Sequence, residues 1–212
     1  MIDITYIVNP LSAADIELDV YRFLFKYQRD TLFGRKPLNS EKLLDNIFID
    51  KGYSLQIVSD DKFAKGILAA TEIESRTIEI RESDFNSCQT NGLARMNISH
   101  EVGHVRLQSE FFEENKGKLY KTCGNYIPAY LSSEWQANVW GSCCLMPFPA
   151  VVKVIENGCK QGLSEDQIIN IIKKKFIVSK LAARARYLTI KNYVNKGIYN
   201  DIVERMEKEN RK

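Results

Sequence analysis

The chain has 212 residues, 44% hydrophobic and 27% charged, which suits a globular fold with its own core and excludes a disordered or fibrous polypeptide. A formal net charge of +3 is too small to imply a nucleic-acid partner by itself, and no apolar run approaches the roughly 18 to 20 residues that span a bilayer. Met1-Ile2-Asp3-Ile4-Thr5 lacks the basic start and cleavage site of a secretory signal, and five cysteines, two of them adjacent, read as free thiols in a reducing cytoplasm.

In chain order, Ser12 with Asp15 three residues on opens a helix from about Ala13 to Asp30. Its stripe Ile16, Val20, Phe23, Leu24 and Tyr27 reads as a core or docking face. After the break at Gly34-Arg35-Lys36-Pro37, Ser40 caps a second helix to about Asp50. Ser54–Val58, Gly66–Thr71 and Arg76–Glu82 read as short strands, the last two joined by a turn at Glu72–Ser75. A helix follows from about Ser87 to Phe111, then an irregular stretch over Phe112–Leu131. Ser132 or Ser133 caps the next helix, which Pro147 stops, and three more fit Pro149–Asn157, Ser164–Lys175 and Ser179–Asn195. The last nine residues, from Glu204, are expected to fray. The fold class is α+β, mainly helical with a small antiparallel sheet. A single domain over 1–212 is expected, with a 38–148 core, a 149–196 helical lobe and a 1–37 helical extension.

The chemistry gathers in Ser99-His100-Glu101-Val102-Gly103-His104. Residues four apart on a helix lie one turn above each other, so both imidazoles can face one metal ion. Glu101 is then turned about 100° from His100, suited to reach a water rather than the ion. Gly103 costs about 1 kcal/mol in a helix, which is tolerated where another element must come close. The chain has only two histidines, and both fall in this pentapeptide with the glutamate in the required place.

A catalytic zinc takes three protein ligands and an open position. With no third histidine, the remaining ligand must be a carboxylate or a thiolate. Glu134, thirty positions beyond His104 and near the start of a helix, is the best candidate, with Glu110, Glu113, Glu114 and Asp84 as rivals. Cys143 and Cys144 lie about 13 to 15 Å along that helix from Glu134, too far to share a site with it.

The two motifs together resemble the ImmA/IrrE family of metallopeptidases. Its His-Glu-x-x-His helix matches His100–His104, and its Glu-x-x-Ala-Asn-x-Phe-Ala-x-x-Leu-Leu-Met-Pro segment matches Glu134–Pro147. The similarity covers about residues 38 to 190, with Trp140, Gly141 and Cys144 departing from the pattern and Gln108 standing where a histidine is common. The resemblance implies a zincin-like fold, Zn2+ held by His100, His104 and Glu134, and Glu101 as the catalytic glutamate. It also implies a cytoplasmic protease whose protein substrate is a DNA-binding repressor of the helix-turn-helix type.

The expected reaction is metal-assisted hydrolysis of a peptide bond, with Glu101 taking a proton from water and returning it to the leaving amine. With both histidines used on the metal, a second oxyanion donor must be a Tyr, Arg, Lys or backbone amide, or zinc acts alone. Tyr126 or Tyr130, in the segment between the ligand helices, is expected to point into the cleft. Two other readings compete. Residues 164–190 have the rhythm of a helix-turn-helix, made basic by Lys173, Lys174, Lys175, Lys180, Arg184 and Arg186, so a DNA-binding regulator with a structural zinc is one. A catalytically inactive adaptor is the other.

Overall fold

The computed structural model describes residues 4–63, 68–115, 121–123 and 127–211. Its elements begin with β1 (Ile4–Tyr6), α1 (Ala13–Tyr27), α2 (Arg29–Leu32), α3 (Ser40–Lys51), β2 (Ser54–Val58), β3 (Ala69–Glu72) and β4 (Thr77–Arg81). Then come α4 (Glu82–Ser87), α5 (Gly92–Glu114), β5 (Lys121–Cys123), a 3-10 turn (Ala129–Leu131) and α6 (Ser133–Leu145). The chain closes with α7 (Phe148–Lys160), α8 (Glu165–Phe176), α9 (Lys180–Asn195) and α10 (Ile198–Asn210). This is a mainly helical α+β protein. Among the described residues no single helix is long and apolar enough to cross a membrane.

The chain divides into two compact units. The first takes Met1–Ala13 and Asn39–Gly141, the second Ala14–Leu38 and Ser142–Lys212. Helix α1 therefore belongs with the C-terminal helices and is not a separate extension.

In the first unit a three-stranded sheet has the order β2-β4-β3. Consecutive strands alternate in direction, as the sequence suggested. The β3–β4 hairpin folds β4 in beside β2, however, so β2 and β4 run parallel and the sheet is mixed rather than antiparallel. Ile78 and Ile80 of β4 fill its inner face, which α5 covers. The helix expected from Ser87 begins instead at Gly92, where Asn91 caps α5 by accepting from the backbone N–H of Leu93 and Ala94, and Ser87 ends the separate short helix α4, which was not foreseen. Likewise Asn39, not Ser40, caps α3, accepting from the Lys42 N–H at 2.9 Å, while Ser40 is buried at the first helical position. A two-stranded antiparallel pair, β1 with β5, was not foreseen.

In the second unit the α1 stripe is buried as expected, at Ile16, Val20, Phe23 and Leu24. Beside it Glu17 receives two hydrogen bonds from Arg186, at 2.5 and 3.0 Å, and both side chains are buried. Arg186 Nε donates to the Met146 carbonyl at 3.0 Å, so the pair is well supplied with partners, as a buried ion pair must be. Ser164 caps α8 in a reciprocal capping box with Gln167, and Ser179 caps α9. Residues 204–210, expected to fray, are helical. Ile202 and Met206, one turn apart, give α10 a buried stripe. Tyr21 donates to Asn210 at 2.5 Å, and Arg205 holds both Asp15 and Asp201. That stripe is thin among many charges, which is why composition concealed it.

Candidate metal centre

His100 and His104 lie one turn apart on α5, their rings edge to face at 4.6 Å between centroids and their Nε2 atoms 3.0 Å apart. Glu134, in the first turn of α6, reaches them with one oxygen each: Oε2 is 3.3 Å from Nε2 of His100, and Oε1 is 3.4 Å from Nε2 of His104. A tetrahedral ion with bonds of about 2.0 to 2.1 Å sets its donors roughly 3.3 Å apart, so these separations suit such an ion. Among the described residues this is the one group of three His, Cys, Asp or Glu side chains placed to hold a metal ion. Of the four rivals, Glu110 pairs with Lys51 and Glu113 with Arg76. Cys143 and Cys144 are buried in the second unit, where Cys143 accepts from Arg186. Cys88, Cys143, Cys144 and Cys159 are free thiols.

The outward nitrogen of each imidazole is also held. His104 Nδ1 lies 2.6 Å from the side-chain oxygen of Gln108, and His100 Nδ1 lies 3.1 Å from that of Asn138. Gln108 Nε2 donates to the Ser133 carbonyl at 2.8 Å, which turns its amide oxygen toward His104. With a metal ion bound, each imidazole would carry hydrogen on Nδ1 and offer the Nε2 lone pair inward; in the metal-free protein the Nε2 atoms face Glu134. The sequence singled out Gln108 only as a departure and Asn138 only as part of a motif, with no role for either, although each sits four residues past a candidate ligand on the same helix face.

Electrostatics follow from this crowding. Burial pushes the Glu134 carboxyl up, but hydrogen bonds from His100 and His104, with their charge, outweigh it and hold the group well below the carboxylate range. For His104 burial pulls the pKa down, and the Glu134 hydrogen bond and the charges of Glu101 and Glu134 outweigh it, leaving the pKa raised.

Two glycines bring the ligand helices together. A Cβ on Gly103 would stand 2.9 Å from the Ala137 carbonyl oxygen, and one on Gly141 would stand 3.0 Å from the His100 nitrogen. The departure from Ala to Gly at 141 thus lies at the crossing itself. Trp140, the aromatic departure beside it, is fully buried.

The start of α6 is tied to the N-terminal segment. Thr5 Oγ1 lies 2.9 Å from Ser132 Oγ and 3.1 Å from Ser133 Oγ, and it accepts from the Glu134 N–H at 3.3 Å. Gln136 Nε2 donates to the carbonyls of Asn9 and Tyr130. Residues 5–11, assigned by the sequence to an extension, are part of the site's support.

Glu101 is nearly buried, and Thr71 on β3 donates to its Oε2 at 2.7 Å. Thr71 is thirty residues away in the chain, and no spacing rule links the two. Tyr126 lies outside the described residues. Tyr130 belongs to the 3-10 turn, with its side chain half exposed and its carbonyl accepting from Leu11 N–H at 3.1 Å. Of the basic residues counted toward a DNA surface, Arg186 is buried on Glu17 and Lys180 pairs with Asp166 at 2.7 Å.

No protein-family model matches the chain. No curated protein does either. Among solved structures, a Mycobacterium tuberculosis transcriptional regulator is similar, at a TM-score of 0.50 and 12% identity over 80% of this chain. The chain spans 45% of that protein's length, and at this identity the likeness concerns the fold alone.

Proposed function

We propose that the protein is a zinc-dependent peptidase, with the metal on His100, His104 and Glu134 and with Glu101 as general base. One observation carries this reading: two inward-facing Nε2 atoms and a carboxylate converge at 3.0 to 3.4 Å, with a second carboxylate held beside them. Two nitrogens and one carboxylate form the donor set of hydrolytic zinc sites that keep a position open. A bound zinc would supply Lewis acidity toward water and toward a substrate carbonyl.

The chain's own residues do the rest. Asn138 and Gln108 fix the tautomer and the plane of each imidazole. Thr71 occupies one oxygen of Glu101 and so orients the carboxylate, which accepts a proton from water and passes it to the leaving amine. Tyr130 or Tyr126 donating to the oxyanion remains part of the proposal, as does a cytoplasmic setting. The resemblance to the ImmA/IrrE family supports a protein substrate, and a helix-turn-helix repressor is the one it suggests.

The test uses the full chain and measures metal content and peptide cleavage together. About one zinc per chain is expected, lost in His100→Ala, His104→Ala and Glu134→Ala. Cleavage of a peptide library should stop with a chelator, return with zinc, and be absent in Glu101→Gln although the metal stays. A chain that binds no metal, or cleavage indifferent to Glu101→Gln, overturns the proposal.

A further inference from the structure

The apolar face of the three-stranded sheet continues past its cover. On the central strand β4, Ile78 and Ile80 are 1% and 0% exposed. Leu55 stands in register with Ile78, and Ile57 with Ile80, on the neighbouring strand β2. Paired residues of adjacent strands project to the same side, so these two extend the core face. Yet Leu55 is 37% and Ile57 45% exposed. Phe48 and Ile49, at the end of α3 just before β2, add more exposed apolar surface.

Strand β2 lies at the edge of this sheet, with β4 on its inner side. The Ser54 N–H turns toward β4, donating to the Arg76 carbonyl at 2.9 Å. Backbone groups alternate along a strand, so those of Leu55 and Ile57 point away from β4. Exposed edges are ordinarily guarded by charge or proline, and Ser54-Leu55-Gln56-Ile57-Val58 has neither.

We infer that this edge joins a second copy of the chain, β2 against β2, antiparallel about a two-fold axis at Gln56. In that register Leu55 faces the second copy's Ile57, and Ile57 faces its Leu55. Both residues present outward backbone groups, so each of the two pairs closes two N–H···O bonds. The flanking charges select this direction. Lys51 precedes β2, and Asp60 and Asp61 follow it, so the antiparallel register brings Lys51 opposite Asp61. A parallel pairing would set lysine against lysine and aspartate against aspartate. In the single chain Lys51 pairs with exposed Glu110, a surface contact that leaves its charge open to a second partner. A pair formed on the same strand from both copies closes on itself and uses up both exposed edges.

Gln56 gives a clean test, because it projects with Glu79 from the polar side of the sheet and fills no core position. Gln56→Lys and Gln56→Glu each set two like charges across the axis. By sedimentation at about 100 μM, where even a micromolar contact is populated, the parent chain should be a dimer. Each variant should be a monomer with unchanged circular dichroism and melting temperature. Mixing the two variants should restore a dimer that native mass spectrometry shows to contain one copy of each. A monomeric parent, dimers that persist in both variants, growth into larger species, or a mixture that stays monomeric each overturns the inference.

Discussion

Gln108 stands one turn beyond His104, and its side-chain oxygen accepts the imidazole Nδ1–H at 2.6 Å while its amide nitrogen donates to the first residue of the Glu134 helix. One side chain thus fixes the orientation of His104 on α5 and grips the helix that carries Glu134. Gln108→Leu keeps the volume and removes both bonds. Zinc affinity, read by chelator competition, should fall about 10- to 100-fold with the fold retained. Unchanged affinity would mean that packing alone orients His104.

Thr71→Val removes the hydroxyl that holds Glu101 and keeps the β-branched shape of β3. Metal content should stay at the parent level while kcat falls about tenfold and KM changes little, because substrate and metal contacts are untouched. Thr71→Ser, which retains the donor, should recover most of the rate. Equal losses in the serine and valine variants would assign Thr71 a packing role.

Gly103→Ala sets a methyl group against backbone, 2.9 Å from the Ala137 carbonyl oxygen, where no side chain can swing aside. The cost should be about 1 to 3 kcal/mol in denaturant unfolding, together with weaker zinc binding as the helices part. An alanine variant as stable as the parent would show that α5 and α6 can separate freely.

The metal-free protein should show a particular pH dependence. Glu134 has a lowered pKa, so its contribution is present above the ordinary value of 4.5 and is lost as pH falls toward the folded value. His104 has a raised pKa, so its contribution is fully present below 6.5 and is lost as pH rises through the folded value. The pair therefore supports the metal-free fold best between about pH 4.5 and 6.5. Zinc displaces a proton from this pair, so the rise in melting temperature on adding zinc should grow from about pH 5.5 to 7.5. A constant rise across that range would place the ion on other residues.

In the second unit Arg186→Met leaves the buried Glu17 without its cation and should cost about 3 to 5 kcal/mol. Adding Glu17→Leu to that variant should recover a large part of the loss. A double variant as unstable as the single one would show that shape, not charge, is decisive there.

What was legible in the sequence was local. Four-residue spacing brought out His100 and His104, and the same spacing would have led to Gln108 and Asn138. The starts of the helices at Ser164 and Ser179 could be read because the cap at each is settled within four residues. Thr71 and Thr5 meet Glu101 and Glu134 across 30 and 129 positions, and no periodicity carries that information. The order β2-β4-β3 was hidden for a similar reason: strand direction alternates locally, whereas the neighbour of each strand is decided by how the hairpin folds back. At α10, two apolar residues among charges were too few to signal a buried face until α1 supplied partners for its polar ones.

Because Gly103 and Gly141 put backbone against backbone, the gauge of the three ligands is set by the main chain rather than by any adaptable side chain. The centre is thus preorganised: helices and imidazoles hold their positions before an ion arrives. Binding then need not order the polypeptide, in contrast to small domains that fold only around their metal. On the proposed reading, ion exchange would be a local event at a standing site, and occupancy could follow the supply of metal without the fold being lost and remade.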